Sequence, residues 1–135
     1  MAACEFCSIA AGERDVHVLF DREGVLAFLD ENPAREGHAV VMPKSHREEL
    51  LGVSEAATPG VFEAVDGLAG DLRAVLGTEG FSVFYTSGSL VGSVDHAHVH
   101  LVPRADNDDV SLSLDRTALD HADAADLAAA VRDRD

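Results

Sequence analysis

Histidine stands at alternate positions in the run His96, Ala97, His98, Val99, His100, Leu101, Val102, Pro103, Arg104. An extended chain turns successive side chains to opposite faces. The spacing therefore predicts three imidazoles on one face, with Ala97, Val99 and Leu101 in the core. Imidazole titrates near pH 6.5, so around neutrality much of it offers an unprotonated nitrogen that attacks phosphorus without a separate base. Covalent attack of this kind divides one hard displacement into two easier ones, and water completes the second. A histidine two residues further on reaches the same phosphate as donor or acid. A carbonyl or neighbouring side chain must hold the far nitrogen of the nucleophile to fix its tautomer. Two other readings of the run exist. One is three satisfied polar groups on an exposed sheet face. The other is a catalytic metal on His96, His98 and His100, although parallel side chains of one strand converge poorly on one ion and the expected following carboxylate is missing.

Cys4 and Cys7 form a C-x-x-C pair. In a reducing compartment such a pair points to a metal or redox site more than to a structural disulfide. His17 and His121 lie outside any motif and read as surface residues.

The elements that must position these residues follow from periodicity. Cys4 to Ala11 suits a short helix ending at Gly12. Val16 to Phe20 and Val25 to Leu29 alternate as strands do and flank a charged turn through Gly24, which reads as a hairpin. His38 to Met42 is a valine-rich run that suits a buried strand stopped by Pro43. From Val61 the period changes: Val65, Leu68, Leu72 and Val75 recur at helical spacing, with Thr58 and Pro59 suited to the start and Gly77 to the end. Phe81 to Tyr85 is a fourth strand candidate and His96 to Pro103 a fifth. Ala105 to Asp109 reads as exposed, and Asp123 to Arg134 as an alanine-rich helix. The expected class is α+β, an antiparallel sheet of about five strands with two main helices.

The chain has 135 residues, which suits one domain, and its 47% of hydrophobic residues can fill a core without disulfides or metal. Residues 1–105 are read as the catalytic unit and 106–135 as a helical extension of the same domain. The formal charge is -15, with Lys44 the single lysine against 25 acidic residues. That excludes a nucleic-acid backbone or an anionic membrane as partner, since both need a basic face. Diffuse acidity with almost no lysine also fits a salt-adapted, halophilic surface, which predicts a melting temperature that rises in molar salt. Met1 to Ala11 carries neither a basic leader nor a long apolar run, and no stretch approaches a membrane span, so the expected location is cytoplasmic.

The histidine run resembles the H-φ-H-φ-H-φ-φ signature of the histidine-triad (HIT) nucleotide-binding family. The resemblance extends from Cys4 to Arg104: Cys4-Glu5-Phe6-Cys7, Ala27-Phe28-Leu29-Asp30, Gly37-His38 and Pro43-Lys44-Ser45-His46 occur in the family's order and approximate spacing. It implies a HIT-like fold and a hydrolase acting on nucleoside phosphoramidates or dinucleoside polyphosphates. His98 would be the nucleophile, His100 a phosphate contact that assists the leaving group, and His38 a support for the catalytic imidazole. Asp30 would accept from ribose hydroxyls, Phe28 would help form the nucleoside pocket, and Ser93 would donate to the phosphate. Cys4, Cys7, His46 and His96 would hold a structural zinc, a closed set of four ligands with no position for substrate. The resemblance also implies a purine nucleotide as partner and a homodimer that extends the sheet. The histidine at 100 speaks for hydrolysis, because the transferase branch typically carries glutamine there. Two departures stand out. Gly92-Ser93-Val94 lacks the glutamine of the usual G-Q-S-V, and Thr86 or Ser87 stands near the place of an expected asparagine. Both losses remove phosphate-side donors, which keeps open a low-turnover nucleotide-binding regulator as the alternative.

Overall fold

The computed structural model describes residues 4–53, 57–87 and 95–134. Five strands form one antiparallel sheet in the order β1-β2-β3-β5-β4, from β1 (Val18–Arg22), β2 (Val25–Leu29), β3 (Ala39–Pro43), β4 (Gly80–Phe84) and β5 (Val99–Arg104). The predicted hairpin is β1 and β2, closed at Gly24 with φ 84°, a left-handed conformation that suits glycine. Central strands β2 and β3 are buried along nearly their whole length; that fits the continuous apolar run read for β3, whereas the alternation read over Val25 to Leu29 marks a strand but not a solvent-facing side.

Each face of the sheet carries a different helix. On one face α2 (Ala57–Leu76) lays Val61, Ala64, Val65, Leu68 and Leu72 against Val25, Ala27, Ala39, Val41, Val99 and Leu101. This is the helical stripe expected from the sequence, and Gly77 ends it with φ 68°. On the opposite face the six-residue α1 (Glu5–Ala10) packs Phe6 and Ile9 on Leu26, Phe28, Val40 and Met42. The register aligns Phe28, Val40, His100 and Phe84 as a row across this second face. Paired residues in an antiparallel ladder project to the same side.

Gly37 is the hinge into β3. It adopts φ 88°, and a Cβ there would stand 2.7 Å from Leu76 Cδ1 and 3.0 Å from Pro103 Cγ. Glycine is thus required just before His38 on two counts, conformation and close approach.

The C-terminal helix α3 (His121–Arg132) starts slightly earlier than the periodicity predicts, capped by the Asp120 side chain on the Asp123 amide, and buries none of its residues. Ala105 to Asp109 is less open than expected at one position. The Asp108 side chain is 4% exposed, clamped by the Arg104 guanidinium at 2.7 and 3.1 Å. Among the described residues no helix is long and apolar enough to cross a membrane.

Candidate functional site

The histidines do not all lie on the strand that alternation predicts. β5 begins at Val99, and the ladder with β3 starts with Val41↔Val99. Upstream the chain bends so that the Ala97 amide bonds the Arg47 carbonyl at 2.6 Å. Ala97, Val99 and Leu101 enter the α2-side core as predicted. His98 and His100 emerge on the α1 face with ring centroids 5.0 Å apart, whereas His96 is fully buried and joins a different cluster.

That cluster is Cys4, Cys7, His46 and His96, whose candidate ligand atoms all lie within 4.8 Å of one another. His96 Nδ1 is 3.5 Å from each sulfur, and His46 Nδ1 is 3.3 Å from Cys7 Sγ. Tetrahedral zinc, with bonds of roughly 2.3 Å to sulfur and 2.0–2.1 Å to nitrogen, holds S and N about 3.5 Å apart. His96 Nε2 lies 2.7 Å from the Pro43 carbonyl. That oxygen can only accept, so Nε2 carries the proton and the Nδ1 lone pair faces the sulfurs, the arrangement expected of a metal-ligating imidazole. Burial and the adjacent Cys4 sulfur push the Cys7 thiol up. A divalent cation is the group that reverses such a shift. The donor set therefore fits a thiophilic ion.

The second cluster is built around His98, whose Nδ1 lies 2.7 Å from the His96 carbonyl. The same logic places the proton on Nδ1 and leaves Nε2 as a free lone pair. Phe6 packs edge-on against the ring at 4.8 Å. His38 supports His100 rather than His98: the Ala34 amide donates to His38 Nδ1 at 2.9 Å, so His38 Nε2 carries the proton, and it lies 2.9 Å from His100 Nδ1. His100 Nδ1 must accept, which leaves its Nε2–H as a donor. Asp30 Oδ2 lies 3.4 Å from His38 Nε2 and 3.8 Å from His100 Nδ1. These three could be read as a second metal set. The tautomers argue against it, since His38, whose Nδ1 already accepts from the Ala34 amide, would have to give up its one ring proton and become an imidazolate to ligate through Nε2. Burial lowers the pKa of His38, and Asp30 opposes the shift. Burial, with His98 and His38 nearby, brings His100 down to about 4. Both rings are thereby held neutral at physiological pH.

Asp30 follows β2 directly, as its predicted role requires, but Oδ1 already accepts from the Asn32 amide at 2.8 Å. Phe28, 4% exposed, stands edge-on to Phe6 at 5.6 Å. Phe6, Ile9, Phe28, Asp30, Val40 and His100 border one cleft of about 160 Å³. Hollows of about 310 and 370 Å³ beside Thr78 and beside Gly60 contain no histidine or cysteine, so size alone would misplace the site. Ser93 lies outside the described residues. His17 and His121 are exposed, as expected.

Several contributors escape sequence reasoning. The Pro43 and His96 carbonyls and the Ala34 amide set the tautomers, and backbone groups leave no signal in residue type. Tyr85 donates to Glu49 Oε1 at 2.5 Å and accepts from the Leu50 amide at 2.9 Å, tying the segment after His46 to the end of β4. Arg104, given no role from sequence, clamps Asp108 and also donates to Ser82 Oγ at 2.8 Å.

The family model described as HIT domain matches residues 11–107. An uncharacterised HIT-like protein of Methanocaldococcus jannaschii is 35% identical over 106 residues, 78% of this chain and 81% of that one. An adenosine 5'-monophosphoramidase of Schizosaccharomyces pombe is 30% identical over 103 residues, 76% and 74% of the two chains. The crystal structure of a zinc-bound histidine triad family protein from Mycobacterium smegmatis superposes with a TM-score of 0.75 at 28% identity, covering 85% of this chain and 84% of that one.

Proposed function

The chain belongs to the HIT family, and on that premise we propose that it hydrolyses nucleoside phosphoramidates or dinucleoside polyphosphates at the α-phosphorus. The observation that carries this reading is the His98 Nδ1 contact with the His96 carbonyl, which aims an unprotonated Nε2 away from the backbone. In the first step that lone pair forms a bond to phosphorus as the bond to the departing nitrogen or oxygen breaks. His100 Nε2–H supplies a hydrogen bond to the phosphate or the leaving atom, which takes up a proton as it departs. Water then attacks the nucleotidyl-histidine, loses the balancing proton, restores His98 and releases a nucleoside monophosphate. The cleft between Phe28 and His100 takes the nucleoside, with Asp30 Oδ2 as the ribose acceptor and Ser93 as a phosphate donor. A purine base is favoured by the named phosphoramidase relative, which acts on an adenosine compound.

Cys4, Cys7, His46 and His96 are read as holding a structural zinc. Support comes from the sulfur–nitrogen separations, the His96 tautomer and the zinc-bound neighbour. When bound, such an ion supplies rigidity to the segment that carries His98, and no step of the reaction passes through it. Residues 1–105 are taken as the catalytic unit, with 106–135 as an extension of the same domain. A cytoplasmic homodimer with a salt-adapted acidic surface completes the reading.

The test is a panel of adenosine phosphoramidates and diadenosine polyphosphates at low and high salt, with acid-quenched protein examined for bound nucleotide. Turnover with a nucleotide trapped on wild type, and none on His98→Ala, supports the proposal. Nucleotide binding without turnover or adduct would identify a binding protein instead.

A further inference from the structure

We infer that Phe84 is a positioning residue for His100, setting the plane of the imidazole and so the direction of its Nε2–H. The inference rests on the role proposed for His100 above. Phe84 ends β4, paired with His100 across the ladder. Its ring stacks on the imidazole with centroids 4.6 Å apart and planes 13° apart, and it meets His38 edge-on at 6.5 Å.

The need for such a contact follows from geometry. The hydrogen bond from His38 holds His100 Nδ1 at 2.9 Å, but a single hydrogen bond tolerates angles well away from linear and so leaves the ring a range of tilt. His38 and His98 meet the imidazole at steep interplanar angles, 62° and 68°, and neither lies flat against it. The flat Phe84 face supplies the missing restraint. Together the hydrogen bond and the stacked face narrow χ1 and χ2 of His100, and with them the Nε2–H direction.

Phe84 is 47% exposed on an edge strand of the single chain. Its neighbour Val83 is 49% exposed and pairs with Leu101 instead of a histidine, so exposure is not what distinguishes Phe84. The same stacking also covers one face of His100. The other groups facing that ring are His38, His98 and Asp30.

Phe84→Ala, Phe84→Leu and Phe84→Trp are compared with wild type for adenosine phosphoramidate turnover across pH, and His100 ring resonances are followed by NMR titration without substrate. Loss of the stacking plane should lower kcat about tenfold in the alanine variant with KM little changed, since misdirection of one catalytic donor acts on the chemical step. Removing the cover should raise the His100 titration midpoint and carry the acid limb of kcat with it; tryptophan should restore both and leucine only the midpoint. Unchanged kcat and midpoint in Phe84→Ala, or a loss confined to KM, would overturn the inference. If wild type itself turns over no nucleotide, the proposed function fails. The NMR comparison still decides whether Phe84 governs His100.

Discussion

His96 and His98 are two residues apart in sequence yet sit in clusters with different chemistry. Around His96 the ring is fully buried, its Nε2–H is tied to the Pro43 carbonyl, and its lone pair meets two thiols. Around His98 the ring is only partly buried, its Nδ1–H is tied to the His96 carbonyl, and its Nε2 lone pair meets no hydrogen-bond donor among the described residues. A carbonyl on one nitrogen selects which nitrogen keeps the lone pair: Nδ1 at His96, as the proposed ligation requires, and Nε2 at His98, as the proposed attack requires. The clusters are also serial. The group that orients His98 is the backbone of His96, so whatever immobilises His96 also aims the nucleophile of the proposed reaction.

The sharpest break in this comparison is His98→Ala. Removing the nucleophile should reduce turnover by at least about 10⁴-fold, as for other residues that form covalent intermediates, and leave the melting temperature unchanged. Cys4→Ser should act from the other cluster with a smaller effect. Serine keeps the N-cap that Cys4 provides to the Cys7 amide while removing a thiolate, so any change reports the metal site and not the helix. Metal content by elemental analysis should fall below stoichiometric, the melting temperature should drop, and turnover should decrease by roughly 10- to 100-fold, the range typical of outer supports to a site. Equal metal in wild type and variant would separate Cys4 from the site.

Acidification probes the His98 side of the comparison. His38 and His100 have depressed pKa values in the fold, His100 at about 4. The unfolded chain therefore binds more protons than the native one as pH falls below about 6.5, and stability declines from there towards pH 4, with no contribution above it. Thermal melts between pH 7 and 4 should show this slope, and His100→Asn should flatten it. The smallest expected effect is Tyr85→Phe. It removes the bond to Glu49, whose carboxyl is held down at about 2 by Ser87 and Tyr85. The cost is about 1 kcal/mol in an unfolding experiment, because the Leu50 amide keeps Glu49 Oε1 as an acceptor.

Much of the architecture was legible because it depends on local patterns. The α2 stripe follows from apolar residues at helical spacing, and its end from Gly77; the β1–β2 hairpin follows from a charged turn with Gly24. The run His96 to Pro103 was legible as apolar alternation but not in extent. The bend before Val99 is made by contacts with Pro43 and Arg47, about fifty residues away, which no local pattern encodes. For the candidate site, the family's motifs named Cys4, Cys7, His46 and His96, which the fold brings within 4.8 Å of one another, and His38, His98 and His100, which it also groups, while Ser93 lies outside the described residues. The partner of His38 was not legible. Motif spacing says that an imidazole is needed, whereas the Ala34 amide and the sheet register decide that it meets His100.

By itself, then, the amino-acid sequence determined the alternation of histidine with core residues, the four ligand-type side chains, the two-faced strands and the acidic, lysine-poor surface, because each is a matter of residue type and short-range period. Only the tertiary structure decided which ring nitrogen carries each proton, that His96 leaves the row of its neighbours, and that Phe84 lies flat on His100. Those outcomes depend on backbone carbonyls, amides and rings brought together from distant segments. Their directions exist only once the sheet has formed.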